Sequence, residues 1–167
     1  AWVDETRPVK PATARGVRRV DAENRLREWA GTNGVCLSIL RAPGIDGDGR
    51  LPESRLRAGT PVLAAADDVY TNHIHADDLA NIALAALLRA RNSRIYNASD
   101  DSEIKMADYF DLAADMLKLP RPPRVSRAHA QATLPKELLS FMGESRRLRN
   151  DRLINELKVK LRYPTVR

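Results

Sequence analysis

Hydrophobic and polar positions along the chain change period several times, and each change predicts an element. After an extended, turn-rich entry through Pro8, Lys10-Pro11 and Thr13, the residues Val17, Val20, Leu26, Trp29 and Ala30 recur at helical spacing until Gly31 and Asn33-Gly34 close the pattern. This predicts an amphipathic helix of about five turns, with Arg15, Arg18, Arg19, Glu23, Arg25 and Arg27 on its polar side. Val35 to Leu40 is an apolar run predicting a buried strand that stops at Arg41 and opens into a loop punctuated by Pro43, Gly44, Gly47 and Gly49. Leu51 to Gly59 reads as a short amphipathic piece before Thr60-Pro61. Asp67 to His75 predicts a second strand, and Leu79 to Leu88 a long apolar helix that Asp77 is placed to cap. Ser93 to Ser99 predicts a third strand. Met106, Tyr109, Phe110, Ala113 and Leu117 then define a clear amphipathic helix. A Pro120-Arg-Pro-Pro123 linker follows, then helical patterns over roughly 136–141 and 148–157, and an irregular end at Tyr163-Pro164. Strands alternating with helices, with no internal repeat, indicate an α/β architecture.

In an open α/β sheet ligands gather past the carboxyl ends of the strands, which makes Arg41 to Gly49 the first candidate site. Composition supports a folded chain: 43% of the 167 residues are hydrophobic and 30% charged. The longest clean apolar run, Ile82 to Leu88, is shorter than the ~20 residues a bilayer requires, and no basic start with an apolar middle marks a signal peptide. A soluble cytoplasmic protein without a membrane partner is expected. A single cysteine, Cys36, excludes an internal disulfide, and its place in an apolar run predicts a buried, inert thiol. The chain opens at Ala1-Trp-Val-Asp without an initiator methionine, and it is read as a piece of a longer protein.

The net charge of +6 is unevenly distributed: residues 1–60 carry 11 basic and 8 acidic side chains, 61–120 carry 5 and 10, and 121–167 carry 12 and 4. Arg146-Arg147-Leu148-Arg149 concentrates that basic excess, but no aromatic residues interleave to stack bases, so a solvated helix face is expected rather than a nucleic-acid partner. Gly44-x-x-Gly47-x-Gly49 has the look of a dinucleotide turn, yet Pro52 and its polar neighbours leave room for only a short helix after it. Asp46-x-Asp48 suggests a calcium loop, but Arg50 occupies the fifth position and no glutamate follows at the twelfth. Both are read as turn chemistry. His73 and His75 alternate with Ile74 and so share one strand face, without a third metal ligand at a recognisable spacing; pocket or structural histidines are expected, and no metal.

The succession Pro11 to Glu23, Ile39-Leu-Arg-Ala-Pro-Gly-Ile-Asp-Gly, His73-Ile-His-Ala-Asp-Asp-Leu-Ala80 and Arg94-Ile-Tyr-Asn-Ala98 resembles the second half of an atypical or extended short-chain dehydrogenase/reductase of the NAD-dependent epimerase/dehydratase family. The resemblance implies the C-terminal part of an NAD(P)-binding Rossmann-type domain over residues 1–100, with a substrate-loop insertion near 44–72, and a small helical substrate-side region over 101–167. The family's Gly-rich cofactor turn would precede residue 1. An NAD(P)-dependent oxidoreductase or epimerase acting on a sugar nucleotide or a small carbonyl or alcohol is implied, with a non-catalytic dinucleotide-sensing or scaffold protein as the alternative.

Residue by residue, the family's Tyr-x-x-x-Lys pair falls on Arg15 and Arg19. A guanidinium, with a pKa above ~12, keeps charge and hydrogen bonds but is a poor proton shuttle. Arg19 is therefore expected to hold the nicotinamide ribose, with Ala42, Pro43, Gly44 and Ile45 beside the nicotinamide, while the proton-transfer residue is unassigned. Arg41, Asp46, Arg50 and His75 are the expected substrate contacts, Asp46 standing at the pocket rim where the family carries an aromatic residue. For Arg41 an ion pair with Asp77 or Asp78 is the competing expectation. A homodimer through the helix bearing Arg15 and Arg19 is implied as well.

Overall fold

The computed structural model describes residues 1–166. Its first half runs β1 (Trp2–Val3), α1 (Ala14–Asn33), β2 (Ser38–Arg41), β3 (Gly44–Asp46), α2 (Glu53–Arg57), β4 (Val62–Leu63), β5 (Tyr70–Thr71), β6 (His73–His75), α3 (Ala76–Arg89) and β7 (Arg94–Asn97). The second runs β8 (Ile104–Lys105), α4 (Met106–Leu117), β9 (Arg124–Val125), α5 (Arg127–Thr133), α6 (Lys136–Met142), β10 (Arg147–Leu148) and α7 (Asp151–Asn155). β2 pairs in parallel with β7, Ser38 opposite Arg94 and Arg41 opposite Asn97. β3 pairs in parallel with β6, Gly44 opposite His73 and Asp46 opposite His75. α3 joins β6 to β7. β1 with β10 and β4 with β9 are also parallel, and β5 with β8 is antiparallel.

α1 begins where Thr13 Oγ1 accepts from the Gly16 amide at 3.1 Å and ends at Gly34, whose φ of 63° is the left-handed cap that Asn33-Gly34 predicts. Its packed face differs from the predicted one. Val17, Leu26 and Trp29 are 52%, 50% and 57% exposed, whereas Gly16, Val20, Glu23, Arg27 and Ala30 form the covered stripe. The cause is polar. Glu23 takes both Arg41 Nε, at 2.8 Å, and Arg41 Nη2, at 2.7 Å, and its Oε2 lies 3.5 Å from Arg27. A bidentate carboxylate at the end of β2 thus orients the helix, and hydrophobic periodicity does not register it.

Other boundaries move for reasons of pairing. Val35 and Cys36 are exposed, so the expected buried thiol is a surface one. The neighbouring segment first engages at Leu37, whose carbonyl accepts from Ser93 N and whose amide donates to Asn92 Oδ1. The loop expected over 41–49 contains β3, and the strand expected over 67–75 breaks at Asn72. That side chain accepts from Leu148 N at 2.9 Å and donates to the Arg146 carbonyl at 3.0 Å, while its own carbonyl receives Gly44 N. Asp67 ends a turn and Asp68 follows it outside any strand, Asp67 accepting from the amide of Arg127 and Asp68 from those of Val69 and Ala107. α3 starts at Ala76, and its cap is His75, whose Nδ1 accepts from Asp77 N at 3.2 Å; Asp77 is inside the helix rather than capping it. Arg147-Leu148 is a strand and not a helical turn.

Three apolar clusters hold these elements. Ile74, Ile82, Tyr96 and Ala98 pack with Leu153, Leu157, Val159 and Leu161. Leu56 and Val62 pack with Ala107, Tyr109, Phe110, Ala113 and Ala114. Leu63 packs with Ala130 and Met142. Each draws on both sides of residue 100, and the second forms one wall of the site.

Candidate functional site

A cavity of about 320 Å³ opens beside β3 and β6. Gly44, Ile45, Thr71 and His73 supply its strand side, Met106, Tyr109 and Phe110 its α4 side, and Arg55, Leu138 and Phe141 close it from α2 and α6. The amphipathic spacing of α4 puts Tyr109 and Phe110 on the buried face, where their rings meet edge-on at 5.7 Å. A second concavity of about 440 Å³ lies between α2 and the Pro120–Pro123 segment, but its arginines, Arg57 and Arg121, already hold Glu53 and Asp115.

The first cavity differs in having polar atoms without partners. His73 is 5% exposed, its ring 4.1 Å from that of Tyr109, and neither ring nitrogen has a hydrogen-bond partner among the described residues. Burial lowers its pKa to about 4, so the imidazole is neutral at pH 7. Asp46 Oδ2 stands 3.7 Å from His73 Nδ1, beyond hydrogen-bond range, and burial raises its pKa above the usual carboxylate value. Asp100 donates its amide to the His73 carbonyl at 2.8 Å. Burial lifts its carboxyl to about 7 against the opposing hydrogen bonds from Ser102. The Tyr109 hydroxyl is pushed up to about 12, by burial first and by Asp46 second. Arg55 lies with Cζ 4.3 Å from the centre of the Phe110 ring. Its Nε and Nη2 are buried without partners among the described residues, and burial lowers the guanidinium pKa.

The expected site residues fall into two groups. Gly44 and Ile45 line the cavity, and Ala42 and Pro43 lead into them from β2. Arg15 stacks on the lining residue Phe141, its Cζ 4.0 Å from the ring centre. Arg19 is exposed. The others lie outside the lining. Arg41 is paired with Glu23 and with neither Asp77 nor Asp78. Asp46 is buried behind His73 and not at a rim, because β3 pairs with β6 and turns it inward. Arg50 is exposed. His75 caps α3 and stacks on Tyr163 at 3.8 Å, so the two histidines of β6 serve different surroundings. Gly47, at φ 131°, is required there: a Cβ would stand 3.2 Å from His75 Nε2. Among the described residues no three His, Cys, Asp or Glu side chains are grouped to hold a metal ion. The C-terminal arginines are paired individually, Arg146 with Glu144, Arg147 with Glu103 and Arg149 with Asp151.

Arg55, Tyr109, Phe110 and Phe141 are absent from the sequence-derived site. Arg55 carried a usable signal: Glu53 and Arg57 are four apart and pair at 2.6 Å, which leaves the intervening Arg55 without an acidic neighbour on its own helix.

This is an α/β fold that matches about half the length of Rossmann-type epimerase and dehydratase structures. A conserved protein of unknown function from Silicibacter pomeroyi DSS is 36% identical, with a TM-score of 0.83 over 98% of this chain and 56% of its own. A nucleoside-diphosphate-sugar epimerase from Pseudomonas aeruginosa is 22% identical, with a TM-score of 0.73 over 92% of this chain and 52% of its own. A dTDP-glucose 4,6-dehydratase from Bacillus anthracis str. Ames, in complex with NAD, is 14% identical, with a TM-score of 0.72 over 98% and 51%. The chain therefore spans about half the length of the structures it matches. No family model and no curated protein matches it.

Proposed function

We propose that these residues form the substrate-side half of an NAD(P)-dependent oxidoreductase or epimerase-like protein, acting on a small carbonyl or alcohol substrate or on a sugar nucleotide. The observation that carries this is the cavity itself, placed beside the parallel strands β3 and β6 and lined by Gly44 and Ile45 of β3. Residues 1–100 would supply the cofactor-side wall, and 101–167 the helical closure over the substrate. The residues present suit the nicotinamide end of a dinucleotide: Gly44 and Ile45 are exposed at the cavity, and Arg19 is exposed on α1. Arg19 and the Ala42–Ile45 backbone would hold ribose and nicotinamide, and the bound cofactor would supply a hydride donor or acceptor. The Gly44-x-x-Gly47-x-Gly49 run leads into the five-residue α2, too short to seat a pyrophosphate, and we assign that seat to the other half of the fold.

Arg15 favours a second reading. A guanidinium stacked on Phe141 holds charge but does not exchange protons near neutral pH, which suits a protein that senses or binds dinucleotide without hydride chemistry. The deciding experiment is titration of NADH and NADPH, followed by nicotinamide fluorescence, into the longest native chain containing these residues, together with a panel of sugars, aldehydes and ketones. Binding weakened by Arg19→Ala with hydride exchange supports the enzyme. Binding without exchange supports the sensor, and no binding overturns both.

A second copy is the further partner we propose. Leu26 and Trp29 are exposed on the flank of α1 that also carries Arg15 and Arg19, since positions 15, 19, 22, 26 and 29 fall on one side of an α-helix. Sedimentation velocity is expected to show a dimer that Trp29→Glu dissociates; a monomer at all concentrations overturns this.

A further inference from the structure

Resting on the reading of this cavity as the substrate side, we propose that it receives a small carboxylic acid with an apolar ring-sized body, its carboxylate on Arg55 and a hydroxyl or carbonyl oxygen on His73. Arg55 and His73 both line the cavity, and both bring buried nitrogens that have no partner among the described residues. Buried polar groups are ordinarily hydrogen-bonded, and two unsatisfied side chains facing one cavity point to groups that a ligand supplies. Phe110 gives the guanidinium a π face but accepts none of its hydrogen bonds. Glu53, the one acid on α2, belongs to Arg57.

Charge and surface decide the ligand class. The cavity holds one cation in Arg55, while His73, neutral at pH 7, adds one N–H donor and one acceptor nitrogen. Asp46 stands 3.7 Å behind that imidazole. One carboxylate balances the guanidinium and matches its planar fork, whereas a phosphate dianion would set a second negative charge toward Asp46. The rest of the lining is largely apolar: Met106, Phe110, Leu138 and Phe141 offer nothing to a polyhydroxylated body, whose hydroxyls would be buried unpaired. About 320 Å³ is at the small end of ligand cavities, which run from ~300 to ~1,000 Å³, and fits a single ring better than a nucleotide.

Isothermal titration of the chain with benzoate, benzyl alcohol and phenyl phosphate tests this, alongside the variants Arg55→Met and Arg55→Lys. Benzoate is expected to bind at least tenfold more tightly than either of the others. Arg55→Met is expected to lose at least tenfold in benzoate affinity with a Tm no lower than wild type, because it removes an unpaired buried charge, and Arg55→Lys to recover part of the loss. Equal binding of benzyl alcohol, tighter binding of phenyl phosphate, no binding of any probe, or benzoate affinity unchanged in Arg55→Met would each overturn the proposal. A lowered Tm in Arg55→Met with benzoate affinity unchanged would mark a structural strut and overturn it as well. If Arg55→Met fails to fold, Arg55→Lys with reduced affinity and a wild-type Tm supports the proposal, and unaltered benzoate affinity in it overturns it. Dinucleotide binding is measured separately, in the longest native chain containing these residues. Benzoate binding without NADH or NADPH binding sinks the cofactor reading alone, and the converse sinks the carboxylate site alone.

Discussion

Glu23 and Arg41 illustrate how single side chains set the frame around the cavity. Their side chains are 18% and 27% exposed and joined by two hydrogen bonds, so removing one leaves the other charged and half-buried. Arg41→Met is expected to cost roughly 1–3 kcal/mol, measured by urea unfolding, and Glu23→Gln in the same background should add little. Arg41 lowers the Glu23 pKa through its hydrogen bonds. The pair's stabilisation is therefore present above the ordinary glutamate pKa and lost as pH falls through the lowered one. His73 and Asp100 give a second signature. With a folded pKa of about 4, below its ordinary value of 6.5, His73 binds a proton more readily in the unfolded chain, so its burial raises stability as pH climbs from 4 to 6.5. Asp100, raised from 3.8 to about 7, is protonated more readily in the folded chain, and its contribution falls as pH climbs from 4 to 7. The two slopes oppose each other. Asp100→Asn should leave stability rising from pH 4 to 6.5, and His73→Phe should leave it falling from pH 4 to 7, each read from the midpoint of urea unfolding against pH. The charge of Arg41 was legible in the sequence, but its partner eighteen residues away was not, because ion pairs between elements have no period.

At the scale of elements, the helices followed from periodicity where burial and apolar spacing coincide. Met106 to Leu117 was expected and found, since Ala107, Tyr109, Phe110, Ala113 and Ala114 are the face that packs. α1 was found over its expected length but turned, because Glu23 sits in the middle of its packed stripe. α3 shows a further polar organiser. Asp78 is fully buried and accepts from Arg162 N at 2.9 Å and Tyr163 N at 2.8 Å, tying the C-terminal segment to the helix start. Asp78→Ala leaves two part-buried amides without an acceptor and should cost about 1–4 kcal/mol. Asp78→Asn, retaining one acceptor oxygen, should cost less, and equal losses in thermal unfolding would contradict this account. The strand expected over 67–75 was divided by Asn72, whose side chain bonds to Arg146 and Leu148. An asparagine within an apolar alternation signals a break only once those partners, more than seventy residues away, are in place.

For the molecule as a whole, the last residues complete the first core. Leu153, Leu157, Val159 and Leu161 pack against Ile74, Ile82, Tyr96 and Ala98, and Glu156 holds Arg94 through two hydrogen bonds. A chain ending at residue 150 should therefore lose its cooperative thermal transition by circular dichroism, since burial of large apolar side chains contributes ~1.5–3 kcal/mol each. Alternating periods determined the α/β class, the helices and the Gly-rich segment at the cavity, because those depend on neighbours within one turn or one strand. The likeness to epimerase and dehydratase structures agrees with the motif order, since local motifs in register reflect one fold. Only the tertiary structure decided that Asp46 turns inward, that His75 caps a helix while His73 faces the cavity, and that Arg55 joins it there. Each of those outcomes depends on which strand lies alongside and which helix packs above, and no stretch of sequence contains that by itself.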